Sequence, residues 1–138
     1  MADVLSELVA FLAAEGLGTA GTDLFFGRMP DTPDACGCVY ATGGLAPDQG
    51  FGSAAVRFES PGIQIVFRGA ALDYDTPNAN ARTAWTSLAG VNPQTALTGT
   101  TYHWVHATQS QPFLLGEPDE KQRFRIVCNY IVEKEMTA

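Results

Sequence analysis

The sequence of 138 residues predicts a single compact α+β domain, in which a mostly antiparallel sheet is packed by two main helices. Two segments have apolar residues at the spacing of an amphipathic helix, and several shorter segments alternate apolar with polar residues as half-buried strands do. Their order along the chain is typical of a sheet that carries its helices on one side. We expect this domain to span residues 1–138, because the length is close to that of one domain.

The first helix is predicted near the N-terminus. Apolar residues recur at three- and four-residue spacing from Leu5 to Leu12, while Glu7 and Glu15 are expected to lie off this buried stripe. Gly16 is expected to end the helix, since glycine readily adopts the conformation that stops one.

Two short strands are predicted next, over residues 23–27 and 36–42, where brief apolar or alternating runs end at glycines. The stretch over residues 43–57 is rich in glycine and alanine and has no sustained period. We therefore expect a long flexible loop there, and loops of this length in compact domains are usually functional or disordered.

The following strand is predicted within the stretch SPGIQIVFRG, residues 60–69. Side chains alternate across a strand, so every second residue shares a side. One side is apolar and is expected to face the core; it carries Ile63, Ile65 and Phe67. The other side mixes an amide, an aliphatic side chain and a guanidinium, from Gln64, Val66 and Arg68.

The second helix is predicted to begin at Asp75 or Thr76, to carry Pro77 in its first turn and to end before Gly90. Its buried face is expected to comprise Ala81, Ala84, Trp85 and Leu88. We expect Trp85 to be the main anchor of this helix on the sheet, because it is the largest apolar side chain of that face.

Two clear strands are predicted over residues 99–107 and 122–133, joined by a long antiparallel connection. In the first of them Tyr102, Trp104 and His106 are expected to share one side.

The charge balance limits the classes of ligand. Fifteen acidic residues outnumber eight basic ones, which gives a net charge of −7, so direct binding of nucleic acid is not expected. No stretch approaches the roughly 20 apolar residues that span a bilayer, so we expect no membrane association. The N-terminal segment lacks the features of a signal peptide, and three cysteines without a disulfide-scaffold spacing fit reduced thiols in a cytosol.

Catalytic and metal-binding motifs find little support in the sequence. Cys36, Cys38, Cys128, His103 and His106 could supply zinc ligands, but their spacing matches no familiar zinc site. The sequence contains no nucleophile elbow, no phosphate-binding loop with its lysine and no dinucleotide fingerprint between a strand and a helix. We therefore predict that the chain is not an enzyme and that it has no catalytic residue, metal or cofactor.

Charged residues in and beside the predicted sheet indicate an assembly face. An acidic loop next to basic residues is more often a solvated turn or half of a salt-bridged contact than a catalytic site, and arginine is enriched at protein interfaces. The residues predicted to contact other polypeptides are Gln64, Arg68, Glu117, Asp119, Glu120, Arg123 and Arg125. We expect that replacing Arg68 or Arg123 with alanine spares folding and impairs assembly.

Several short marks, which together extend over most of the chain, resemble those of a known family in their order and spacing. An opening amphipathic helix is followed by VYATGG (39–44), SPGIQIVFRG (60–69), LDYDTPNANARTAWTSLAG (72–90) and QPFLLGEPDEKQRFRIVCNYIV (111–132). With these marks the chain resembles the tail terminator proteins of long-tailed bacteriophages, a family also described as tail completion or minor capsid proteins.

The resemblance implies a structural virion protein of the tail neck that is assembled in the host cytoplasm. Such a subunit joins a ring, expected to be a hexamer, that caps the tail tube, stops its elongation and offers a docking surface to the head-tail connector. The implied partners are other copies of the chain, the tail tube protein and the connector or head completion protein. DNA would pass through the lumen without specific binding.

An alternative from a different class is a monomeric module that binds a small molecule, or a small enzyme. It would use the glycine-rich loop and the strand of Trp104 and His106 as its pocket. Ring formation or incorporation into tails would favour the structural hypothesis, whereas turnover or tight retention of a small molecule would favour this alternative.

Overall fold

The computed structural model describes residues 4–45, 58–89, 95–97 and 100–135. Within these residues the chain forms two helices and eight strands. In chain order they are α1 (Val4–Ala14), β1 (Leu24–Phe26), β2 (Cys36–Ala41), β3 (Phe58–Glu59), β4 (Gly62–Ala71), α2 (Asp75–Ala89), β5 (Thr95–Leu97), β6 (Thr100–Ala107), β7 (Phe113–Leu114) and β8 (Arg123–Glu135). Most of the loop predicted over residues 43–57 lies outside the described residues, as does Gly90.

The described strands form one sheet in the order β1-β2-β4-β8-β6-β5, and the short strands β3 and β7 also pair with β8. Every pairing is antiparallel except that of β1 with β2, which is parallel. The prediction of a mostly antiparallel sheet with two helices is therefore confirmed.

The 13-residue strand β8 holds the sheet together. It pairs with β4 along one edge and with β6 along the other, and its two ends also bind β3 and β7. Because its main-chain groups are paired on both edges, β8 lies inside the sheet. Its side chains point alternately to the two faces of the sheet.

Both helices pack on one face of the sheet and enclose the core with it. Helix α1 lies against β1 and β2, and helix α2 lies against β4, β6 and β8. The sheet contributes to this core Val39, Ile63, Ile65, Phe67, Ile126, Tyr130 and Val132. The predicted core side of β4 is therefore confirmed, and burial of these large side chains supplies the main stabilisation of the domain.

Helix α2 shows the predicted face but a different anchor. Ala81, Ala84 and Leu88 are buried, whereas Trp85 is only partly buried against the core. The two alanines let the helix backbone lie close to the sheet, so Leu88 fills the space beneath it and Trp85 packs at the margin.

Glu7 does not lie off the buried stripe, as predicted, but inside it. Its side chain is 1% exposed, and the hydroxyl of Tyr102 donates a hydrogen bond to its Oε1 at 3.1 Å. A buried carboxyl group requires such a partner, and here the partner comes from a distant strand. The spacing of apolar residues in one helix contains no information about that strand.

A β-bulge in β6 changes which of its side chains lie on the same face of the sheet. Tyr102 pairs with Lys134 but Trp104 pairs with Glu133, so β6 has one extra residue at this point. Tyr102 therefore faces the core, while Trp104 and His106 face the opposite side of the sheet. The expectation that these three residues share one side is wrong because alternation is interrupted at a bulge.

Replacing Leu88 with alanine is expected to destabilise the fold by about 2–5 kcal/mol, because a fully buried leucine leaves a cavity. Urea unfolding followed by circular dichroism measures this change. Leu45→Ala is the matched control, since Leu45 is 65% exposed and its truncation should change stability by no more than about 0.5 kcal/mol. Equal losses in both variants would contradict the proposed core.

Candidate functional site

The candidate functional surface is the sheet face turned away from the helices, which we call the half-polar face. The strand register aligns rows of side chains across β2, β4 and β8 on this face. The rows are Tyr40, Gln64 and Asn129; Cys38, Val66 and Val127; and Cys36, Arg68 and Arg125. The face therefore combines amide, apolar, thiol and guanidinium groups, as the alternation of residues 60–69 predicted for β4.

Arg68 is fixed inside the subunit. Its side chain is 6% exposed, and within the described residues it donates hydrogen bonds to main-chain oxygens of the connector between β1 and β2. The acceptors are the carbonyls of Pro30, Asp31, Pro33 and Asp34, at 2.7, 3.2, 2.8 and 2.9 Å. Arg68 thus holds this connector over the half-polar face, where the sequence predicted a contact with a neighbour.

Arg123 is also engaged within the chain. It is 5% exposed, and its guanidinium forms salt bridges of 2.9 Å with Asp31, 3.0 Å with Asp34 and 2.9 Å with Asp119. Lys121 adds a further salt bridge to Asp31. This network ties the connector before β2 to the start of β8, so the predicted sparing of the fold in Arg68 and Arg123 variants does not fit the contacts of either residue.

The network perturbs the pKa of its carboxyl groups. Hydrogen bonds from Lys121 and then Arg123 hold the pKa of Asp31 below its usual value. Burial opposes ionisation of Asp119, but hydrogen bonds from the backbone and guanidinium of Arg123 outweigh it, so the pKa of Asp119 is also lowered. Both carboxylates therefore stay ionised and paired with Arg123 at neutral pH.

A pocket of about 290 Å³ opens on the half-polar face beside this network. Its lining comprises Met29, Tyr40, Gln64, Val66, Arg68, Leu115, Asp119 and Arg125. The amide of Gln64 donates to Oδ1 of Asn129 at 3.0 Å. Burial raises the pKa of Tyr40 to about 12, so its phenol is neutral at physiological pH. The pocket is thus a mixed site whose charged members are two arginines and one aspartate.

Arg125 differs from the other two arginines of the face. Among the described residues its buried Nε has no hydrogen-bond acceptor. Its position on β8 is directly opposite Arg68 on β4, so two guanidiniums start from adjacent points of the sheet.

The acidic residues of the loop before β8 differ in their exposure and contacts. Asp119 turns inward and binds Arg123, while Glu117 and Glu120 are exposed. Of the predicted interface residues, the structure gathers Gln64, Arg68, Asp119 and Arg125 around one pocket and places Arg123 in the network beside it. The sequence reasoning missed Asp31 and Asp34, because nothing in the connector itself shows that their carboxylates meet Arg123, about ninety residues further along the chain.

The thiols and the aromatic strand do not form a second site in the part of the chain that is described. Cys36 and Cys38 lie on the half-polar face, whereas Cys128 belongs to the core on the other face. Burial raises the pKa of all three thiols. No group of three potential metal ligands occurs among the described residues. The rings of Trp104 and His106 lie 4.2 Å apart, and the side chain of His103 is outside the described set.

Comparisons with known proteins address the family and the fold. A family model described as bacteriophage tail terminator protein matches residues 11–136. The fold is similar to that of a solved chain described as "Virion of native gene transfer agent (GTA) particle", with a TM-score of 0.55 and 16% identity over 92% of this chain and 86% of that chain. No curated protein matches the chain. Within the described residues, no helix is long and apolar enough to cross a membrane.

Replacing Arg123 with alanine is expected to destabilise the fold by about 1–3 kcal/mol, because it removes the charge-assisted hydrogen bonds that tie the connector before β2 to the start of β8. The free energy of unfolding, measured by urea titration, tests this. Arg82→Ala is the control, since Arg82 is exposed and bonded only to Gln111. If the Arg123 variant were as stable as the wild type, its contacts would not support the fold, and Arg123 could serve contacts with other polypeptides instead.

The lowered pKa of Asp119 predicts a pH dependence of stability. Because the folded pKa lies below the unfolded value of about 3.8, its contribution is present above that value and is lost as pH falls through the folded pKa. Asp119→Asn should therefore cost about 1–3 kcal/mol at pH 7, and this cost should shrink as the pH falls below the unfolded pKa. Urea titrations at pH 7 and at a pH below the unfolded pKa measure the difference, and an equal loss at both would contradict the ionic origin of the effect.

Proposed function

The chain belongs to the bacteriophage tail terminator family, and from this premise we propose that it forms the ring that closes the end of a phage tail tube. The family match confirms the resemblance found in the sequence and identifies a structural protein of a phage-type virion tail. The extent of this match carries the proposal, since residues 11–136 include all of α2 and every described strand.

We propose that the ring contains six copies, stops elongation of the tail tube and presents a docking surface to the head-tail connector. The tail tube protein and the connector are then its partners besides other copies of the chain. Membership in a family of structural tail proteins also supports the absence of an enzymatic role. The ring would be assembled in the host cytoplasm and retained in the virion.

The half-polar face is suited to one side of the contact between subunits. A ring built from heterologous contacts needs two different patches on each subunit that complement each other. We propose that Gln64, Arg125, Glu117 and Glu120 contact a neighbouring subunit or the tube. We assign Arg68, Arg123 and Asp119 to the support of this surface, because their polar groups are bonded within the chain.

The acidic composition supports a role beside DNA that does not bind it. A net charge of −7 per subunit is multiplied by the number of copies in a ring. Carboxylates facing the lumen would repel the phosphate backbone and let the polymer pass without adhering to the wall.

Deleting the gene from its phage is expected to produce tails of uncontrolled length without joined heads, because nothing would close the growing tube. Electron microscopy of lysates measures tail length and joining. Expression of the wild-type chain in the same host should restore tails of defined length, and so should the Arg82→Gln control. Joined tails of normal length in the deletion strain would refute the proposal.

A further inference from the structure

Two arginines lie side by side on the adjacent strands β4 and β8, which form the floor of the pocket. Arg68 of β4 and Arg125 of β8 are partners in the register and lie on the half-polar face. Like charges at directly opposite positions destabilise a sheet. Arg68 donates from Nε and one terminal nitrogen to four backbone carbonyls, which carry no net charge to offset the second arginine.

Arg125 lacks an internal partner among the described residues. Its Nε is buried without an acceptor, although a buried donor normally has one. Asp119 is the one carboxylate in the lining of the pocket, and its oxygens already accept hydrogen bonds from Arg123 and from the amide of Lys121. A carboxylate able to neutralise Arg125 therefore has to come from outside the residues that line the pocket.

The distribution of charge indicates where such a carboxylate is found. Four of the eight basic residues, namely Arg68, Lys121, Arg123 and Arg125, stand in and around this pocket, and among the described residues the three carboxylates of the network pair with Lys121 and Arg123 but not with Arg68 or Arg125. The chain as a whole carries fifteen acidic residues, so its remaining surface is strongly acidic. A second copy of the chain thus offers carboxylates that complement this basic pocket.

We propose that the pocket receives the carboxylate side chain of an aspartate or glutamate from a second copy of this chain, and that Arg125 binds it. The planar guanidinium fork matches a carboxylate with two parallel hydrogen bonds, and Arg125 lines the pocket that the carboxylate would enter. Met29, Val66 and Leu115 line the same pocket and pack against the aliphatic stem of the entering side chain. This inference rests on the proposed ring, since only neighbouring subunits bring a second copy to this face.

The purified full-length chain tests the role of Arg125. Sedimentation velocity over a range of concentrations is expected to show self-association of the wild-type protein that weakens as salt increases, because charge pairs are screened. Arg125→Gln should weaken this association at least about tenfold and leave the urea midpoint unchanged or slightly raised, since it removes an unpaired charge. Arg125→Lys, which keeps the charge but not the fork, should lie in between. Arg82→Gln is the control and should associate like the wild type.

Two results of this experiment would overturn the inference. One is that Arg125→Gln associates as strongly as the wild type at every concentration. The other is that the wild-type protein stays monomeric throughout the concentration range. If Arg125→Gln fails to fold, Arg125→Lys carries the test, because it retains the charge and the long aliphatic stem.

Photo-crosslinking identifies the occupant. A benzoyl-phenylalanine placed at Leu115, in an equal mixture of ¹⁴N- and ¹⁵N-labelled protein, is expected to give mixed-isotope peptide pairs that contain an acidic residue of the second copy. Crosslinks in purified virions to a different virion protein, or adducts to DNA, would overturn the assignment of the occupant.

The phage deletion strain separates this inference from the proposed function. If the wild-type chain restores defined tails and Arg125→Gln restores them equally well, the pocket contact is wrong while tail termination holds. If the deletion strain has normal tails, tail termination itself is wrong. We expect the wild-type chain to restore defined tails. We expect Arg125→Gln not to be incorporated into purified virions, which quantitative mass spectrometry measures.

Discussion

The pairing of β4 with β8 is the constraint on which the rest of the structure depends. It extends from Gly62 opposite Ile131 to Ala71 opposite Arg123, in the middle of the sheet. Because side chains alternate along both strands, a single register buries Ile65 and Phe67 under the helices and turns Arg68 outward. A shift by one residue would exchange the two faces, so the apolar core fixes the polar surface as well.

The three arginines of the half-polar face differ in the partners that their guanidiniums have within the described residues. Arg123 has three carboxylates, Arg68 has four carbonyls, and Arg125 has no acceptor for its buried Nε among the described residues. The first two arrangements fasten the connector before β2 and the start of β8 to the sheet. Their rigidity keeps the pocket open beside Arg125, which suits a surface that binds a partner without rearranging.

Side-chain alternation within single segments made the sheet, the core side of β4 and the face of α2 predictable, because these depend on neighbours along the chain. The burial of Glu7, the bulge in β6 and the internal engagement of Arg68 and Arg123 depend on residues far away in sequence, such as Tyr102 and Asp31. The grouping of Gln64, Asp119 and Arg125 around one pocket likewise follows from the register of β4 and β8, which composition does not specify. An arginine that alternates with apolar residues therefore reveals its face but not its partner.

In the proposed ring, a subunit should bind its neighbours strongly only when they are correctly placed. An acidic chain with a net charge of −7 repels its own copies at random orientations, which keeps free subunits apart. In the proposed contact, the pocket would offset this repulsion in the orientation that brings a neighbour's carboxylate to Arg125. The hydrogen bond that Arg125 Nε lacks in the isolated chain would then form in the proposed ring, so the unmet donor would favour ordered assembly over indiscriminate association.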